Sequence, residues 1–206
     1  TLMSLFIARL GVVATASHQI VSNMTAVLYM IPLSLSIASS SRVSYWIGAG
    51  QIHRARQALR TGLSLVLLMS LSLAGLIGWQ HQVIAEFYTQ SPEVAALAAT
   101  LLLWLMLYHV ADAVQVFCVF TLRCYGITVL PLITYTVLLW GLGLAGGYVV
   151  AYGTGFDELG LHWLTPQSPI AFWQTGSLAL YVTTAVLLPV LWRAAYRPNT
   201  SAQKTP

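Results

Sequence analysis

One carboxylate in this sequence stands where a carboxylate is costly. Asp112 is at the centre of YHVADAVQVF (Tyr108–Phe117), inside a long apolar run. Arg123 ends that run, and at a helical rise of 1.5 Å per residue Asp112 then lies roughly 16 Å deep, near the middle of a ~30 Å hydrocarbon layer. An ionised aspartate at that depth costs about 2.5–3.5 kcal/mol on insertion scales. Helical spacing puts Tyr108 (i−4), His109 (i−3) and Gln115 (i+3) on its face. Leu, Val and Phe occupy the other faces, so the polar stripe must look into protein or water; lipid would leave it unsatisfied. Two roles suit such a stripe. One is a static polar contact between helices, with His109 or a hydroxyl satisfying the acid. The other is a site that takes up and releases a proton or a cation during transport, which makes Asp112 the candidate cation-coupling residue and a candidate Na⁺ ligand. Tyr108, His109 and Gln115 are then candidate cavity residues.

The composition says which elements must position this stripe. Of 206 residues, 58% are hydrophobic and 7% charged, against about 25% charged in an ordinary soluble domain; the mean hydropathy is +0.77. The fold class expected is all-α and integral to a membrane. Apolar stretches long enough to cross as helices fall near 20–43, 59–79, 96–122, 127–151 and 171–192, after a partial span at 1–13. The stretches GAGQIHRARQALR, HQVIAEFYTQSPE, CYGIT and YGTGFDELGLHWLTPQSP carry the Gly, Pro and Asp signals of loops. Residues 193–206 read as a tail. The first run lacks the basic start and cleavage site of a signal peptide, and the chain is expected to be the C-terminal part of a longer protein.

Charge sorts by side. Arg42, Arg54, Arg56, Arg60, Arg123, Arg193, Arg197 and Lys204 fall on one side of these spans, and Glu86, Glu93, Asp157 and Glu158 on the other. Only Arg9 departs from the pattern, and it can snorkel. By the positive-inside rule the basic side and the C-terminus face the cytoplasm. The net charge of +4 is thus a topology signal, and no nucleic-acid partner is expected. Tyr45, Trp46, Trp79, Trp173 and Trp192 lie near span ends, where interfacial aromatic belts form.

Other features carry less chemistry. The span SHQIVSNMTAVLYMIPLSLSIASSSR is polar for a membrane helix. Ser22, Tyr29 and Ser36 recur at seven, with Thr25 and mid-span Pro32 close to the same face. Small residues allow close packing, and Pro32 removes a backbone hydrogen bond and permits a kink. The stripe is either tight packing or a bending cavity wall, with Asn23 and Tyr29 as candidate lining residues. His18 and Gln19, near the outer end, are hydrated and not ligands on their own. GLGLAG (141–146) matches G-x-G-x-x-G but follows no strand, so its glycines serve helix approach and not a dinucleotide. Cys118 and Cys124 diverge on one helix and are apolar fillers. The NTS sequon (199–201) falls on the cytoplasmic side. No Ser-His-Asp order, metal-spaced His/Cys set or phosphate loop appears, and neither enzyme activity nor a cofactor is expected.

These residues resemble the multidrug and toxic compound extrusion (MATE) family. ASHQIVSNMTAVLYMIPLSLSIASSSRVSYWIGAGQIHRARQALRTG is similar to its A-H-Q-x stretch, M-x-P-x-G-type helix and basic G-x-G-x-x-x-x-A-R loop, matched at Gly48, Gly50, Ala55 and Arg56. DAVQVFCVFTLRCYGITVLP resembles its D-A-x-Q followed by L-R-G and Pro, nearest to the NorM branch. Cys124 stands where the family often has Gly, as does Ser44, and Ile127 stands where an acid is frequent. The resemblance implies a twelve-helix exporter of two six-helix lobes, of which this chain is the second. It also implies export of organic cations and dyes in exchange for Na⁺ or H⁺ across the bacterial cytoplasmic (inner) membrane. Asp112 aligns with that branch's cation-coupling carboxylate. Another carboxylate, early in the seventh helix, is expected to lie upstream of Thr1 with the missing N-terminal lobe. A flippase for lipid-linked sugars is the nearest rival, but it needs cationic side chains within the spans. A membrane enzyme using His109 and Asp112 as a base pair, or a non-functional remnant, are the others.

Overall fold

The structure, a computed structural model, describes residues 2–153 and 167–196. Asp157, Glu158, the Asn199–Ser201 sequon and the basic residues Arg197 and Lys204 lie outside the described residues. Six helices run through the rest: α1 (Leu2–Ala8), α2 (Val12–Gly48), α3 (Ile52–Tyr88), α4 (Pro92–Cys124), α5 (Val129–Tyr152) and α6 (Ile170–Tyr196). Among the described residues there is no strand. All but α1 are long and apolar enough to cross a membrane, and the chain is a multi-pass helical membrane protein.

The helices outrun the apolar spans. Both α2 and α3 have 37 residues, about 55 Å at 1.5 Å per residue, well beyond a ~30 Å hydrocarbon layer. The stretches 52–60 and 81–88, read as loop from their polarity, are helix. They hold Ala, Arg, Gln, Glu and Leu and no Gly or Pro, and such residues continue a helix at little cost in water. The turns shrink to residues 49–51, 89–91 and 125–128. Gly50 (φ 71°) and Gly126 (φ 73°) take left-handed conformations there, which a residue without Cβ adopts readily. The first break also moves. Residues 14–19 are helical, and the chain bends at Gly11 (φ 107°) instead.

The central helix is α4, which packs along α2, α3 and α6. Its apolar contacts divide into two layers. Toward its N-terminal end Leu101, Leu102 and Leu105 meet Val21, Leu28, Ile77 and Trp173. Toward its C-terminal end Ala113, Phe117 and Leu122 meet Val43, Leu59, Val66, Leu187 and Leu191. The seam between the layers falls at residues 108–112, the level of the aspartate. A third cluster ties α1 to α5 and α6 through Ile7, Ala151 and Phe172.

The glycines of α5 do bring helices together. Gly147 lies so close to α6 that an added Cβ would stand 2.6 Å from Phe172 Cδ1 and 2.9 Å from Thr175 Oγ1. One turn earlier, Leu138–Ala145 winds as a π-helix. The Thr175 hydroxyl donates to the Gly143 carbonyl at 2.8 Å, giving the loosened backbone a partner on α6. Such π segments are uncommon and often border functional sites.

Candidate functional site

A cavity of about 570 Å³ opens at the seam in the core, between α2, α4 and the start of α5. From α2 come Ser22, Thr25, Ala26, Tyr29 and Met30, spaced i, i+3, i+4, i+7 and i+8, which is one helical stripe. From α4 come Tyr108, Asp112 and Gln115, followed by Val119 and Arg123 one and two turns further on. The start of α5 supplies Pro131 and Tyr135. Asp112 is 8% exposed and Gln115 5% exposed, so their remaining access is through this cavity. Pro32 is buried just beyond the stripe, where it interrupts the hydrogen-bond ladder of α2.

The helix that carries the aspartate is tied to α6 over the turn just before it. The Tyr181 hydroxyl donates to the Leu107 carbonyl at 3.1 Å, and the Thr184 hydroxyl donates to the Ala111 carbonyl at 3.2 Å. From α2, the Ser17 hydroxyl donates to the Val94 carbonyl at 3.1 Å. Asp112 therefore sits on a braced element, and the backbone beside it is fixed.

The charge pattern is lopsided. Among the described residues Arg123 is the only cationic one on the lining. It lies three helical turns from Asp112, roughly 16 Å along the axis, and its guanidinium rests 5.0 Å over the Phe120 ring. The uncharged polar residues that line the carboxylate's chamber include Ser22, Thr25, Tyr29, Tyr108, Tyr135 and Gln115. Oxygen ligands around one carboxylate suit a hard cation or a proton. Among the described residues no group of three or more His, Cys, Asp or Glu is placed to hold a metal ion.

Not every candidate joins the cavity. Tyr29, Tyr108, Asp112 and Gln115 converge on it, whereas His109 and Asn23 do not line it. At about 100° per residue, His109 is turned some 60° to one side of Asp112, and Tyr108 and Gln115 lie about 40° and 60° to the other. The cavity opens on the Tyr108–Gln115 side. His109 is left 2% exposed in the packed interior, its Nε2 without a hydrogen-bond partner. Asn23 is one residue out of step with the Ser22–Tyr29 stripe. It is exposed and accepts a hydrogen bond from Gln19 Nε2 at 3.0 Å.

The structure adds a second chamber of about 470 Å³ that shares Ser22, Thr25 and Tyr108 with the first. Trp140, Phe172, Trp173 and His18 line it, beside the π segment of α5. His18, read from sequence as hydrated, is 3% exposed. Its Nε2 lies 3.2 Å from both the Ser4 and Ser22 hydroxyls, and its Nδ1 is buried without a partner. Trp173, expected at an interface, is 4% exposed and packs edge-on against Tyr108, with ring centroids 5.6 Å apart. No sequence signal marked Trp140, Phe172 or Tyr135, since their roles come from helices that are distant in the chain. For His18 the signal was its spacing, one turn before Ser22 on the same stripe.

The comparisons with known proteins agree with this architecture. Residues 1–149 match the MatE family. The chain is 34% identical to the probable multidrug resistance protein NorM of Aromatoleum aromaticum, covering 98% of this chain and 42% of that protein. It is 36% identical to the probable multidrug resistance protein NorM of Shewanella oneidensis, over 90% of this chain and 39% of that protein. It is 35% identical to the multidrug resistance protein MdtK of Yersinia pseudotuberculosis, over 92% of this chain and 39% of that protein. In fold it resembles the crystal structure of the eukaryotic MATE transporter AtDTX14, with a TM-score of 0.73 at 19% identity, over 88% of this chain and 39% of that one. The chain spans about two fifths of the length of these relatives. With its MatE match, its NorM and MdtK relatives and its MATE fold, the chain belongs to the MATE family, in the NorM-type group.

Proposed function

We propose that this chain is the C-terminal lobe of a multidrug efflux antiporter that exports organic cations in exchange for Na⁺ or H⁺ by alternating access. Asp112 is the coupling residue. The observation that supports this reading is a carboxylate on a braced helix, in a chamber lined by hydroxyl-, amide- and ring-bearing residues, with no cationic group among the described residues beside it. A carboxylate so placed holds a cationic drug or a coupling ion, but not both at full strength. Arrival of Na⁺ or a proton then weakens the hold on the drug. Tyr108 and Tyr29 present aromatic faces that attract organic cations, and Gln115 offers an amide to the carboxylate or to its ion. The reaction is carriage and not chemistry, so the substrate leaves unchanged and no cofactor takes part. The partner lobe completes the cavity and supplies a further carboxylate. The membrane is the bacterial cytoplasmic membrane, with the basic helix ends and the C-terminus inside.

The test is ethidium efflux from cells expressing the complete transporter that contains this lobe, with Asp112→Asn compared with the parent at equal membrane abundance. Na⁺ and pH gradients are imposed separately. Loss of gradient-driven efflux in the variant is the expected result, and the gradient that drives the parent names the ion. Undiminished efflux in the variant overturns the assignment and leaves Asp112 as a packing group.

A further inference from the structure

Away from the Asp112 chamber, a groove of about 560 Å³ runs between the C-terminal part of α2 and the N-terminal part of α3. Each wall is one helical stripe: Leu35, Ala38, Ser39, Arg42 and Trp46 on α2, and Arg54, Gln57, Ala58, Thr61, Gly62 and Leu65 on α3. The floor closes where the two helices touch, since a Cβ on Gly62 would stand 2.5 Å from Ser39 Oγ and 3.0 Å from the Phe117 ring. The lining is graded along the helices. Arg42, Trp46 and Arg54 lie at the helix ends, Ser39, Gln57 and Thr61 follow, and Leu35, Gly62 and Leu65 lie deepest. Arg42 to Leu35 is two helical turns, roughly 10 Å, close to the step from a lipid phosphate to the first carbons of its chains.

Charge favours one class of occupant. Among the described residues no acidic one lines the groove, and the two charged ones are arginines, exposed at the end where the described basic residues collect. The Arg54 guanidinium lies over the Trp46 ring, 4.7 Å from its centroid, which places its N–H donors at the wall of the groove. Neighbouring basic groups do not line the groove: Arg56 Nε donates to the Ala195 carbonyl at 2.9 Å, and Arg56 and Arg60 lie over the Tyr196 ring. We propose that this groove is a binding site for an anionic glycerophospholipid of the leaflet at the basic end. Its phosphate sits between Arg42 and Arg54, its ester region lies against Ser39, Gln57 and Thr61, and one acyl chain lies over Leu35 and Leu65. The site is independent of the transport reading and needs only that the helices cross a bilayer.

Native mass spectrometry of the whole chain in detergent, titrated with phosphatidylglycerol or with phosphatidylethanolamine of the same chains, tests it. Phosphatidylglycerol is expected to bind preferentially. The Arg42→Gln/Arg54→Gln pair is expected to weaken that binding roughly 20–30-fold, from about 1 kcal/mol per arginine near an anionic headgroup. Arg60→Gln, outside the groove, is expected to leave it unchanged, and Arg54→Lys is expected to keep most of it. Both altered arginines are exposed, so the double variant keeps its fold, and an unchanged melting curve without lipid checks this. Equal binding of the two lipids, an equal loss in Arg60→Gln, or displacement of the lipid by millimolar inorganic phosphate each overturn the proposal. The last result would mean a bare anion site with no role for the acyl chain.

Discussion

Gly147→Ala adds one methyl group to a close helix contact, that of α5 on α6. On helix propensity alone the change should help, by about 1 kcal/mol, because glycine is the poorer helix former. The tertiary structure reverses the sign. The new Cβ would stand 2.6 Å from Phe172 Cδ1, 2.9 Å from Thr175 Oγ1 and 3.1 Å from Phe172 Cα, whereas carbon contacts are comfortable near 3.5–4.0 Å. Neither partner has room to retreat. Phe172 is 2% exposed, with the Phe6 ring stacked on it at 6.3 Å, and Thr175 is held by its bond to the Gly143 carbonyl. Overpacking of this kind costs about 1–3 kcal/mol, and the fixed neighbours place it toward the upper end. The net destabilisation expected is about 1–2 kcal/mol. For a chain of this size that lowers the thermal midpoint by roughly 2–8 °C, read by fluorescence-detected size exclusion after heating in detergent at one fixed scan rate. Gly141→Ala is the matched control: a Cβ there meets nothing within 4 Å, so its midpoint should stay level or rise. In the double variant with Phe172→Leu, the two losses should sum to less than their separate values, because the smaller side chain admits the methyl group. A Gly147→Ala midpoint at or above the parent, or the same loss at Gly141, refutes the close approach of α5 and α6.

Other consequences can be checked separately. Arg56→Met removes both the bond to the Ala195 carbonyl and the stack on Tyr196; a loss of about 1–3 kcal/mol should appear as faster amide exchange in the last turn of α6. Thr175→Val keeps the shape but leaves the Gly143 carbonyl without its hydroxyl donor; about 0.6–2 kcal/mol is expected in the same melting assay, and no change would show that the π segment satisfies itself. Cys118 is fully buried and Cys124 partly accessible, so maleimide should label Cys124 first, and Cys118 only after denaturation.

The sequence by itself determined the membrane class and the helical architecture. Both follow from something local: apolar run length against bilayer thickness at a rise of 1.5 Å per residue. It also identified Tyr108 and Gln115 as neighbours of the carboxylate, because i−4 and i+3 positions meet on any helix. Helix ends were less legible, since past the hydrocarbon the polarity that looks like a loop is equally compatible with solvated helix, as at 52–60 and 81–88. Only the tertiary structure decided which side of α4 opens into a cavity, and so why His109 is packed away while Tyr135, distant in the chain, faces the aspartate's chamber. It likewise moved His18 from expected hydration, and Trp173 from an expected interfacial belt, to a buried contact. Periodicity fixes the angle of a side chain about its own helix, but what that side chain meets depends on how neighbouring helices lie. In this lobe that placement rests on close contacts such as Gly147 on Phe172, which no single helix encodes.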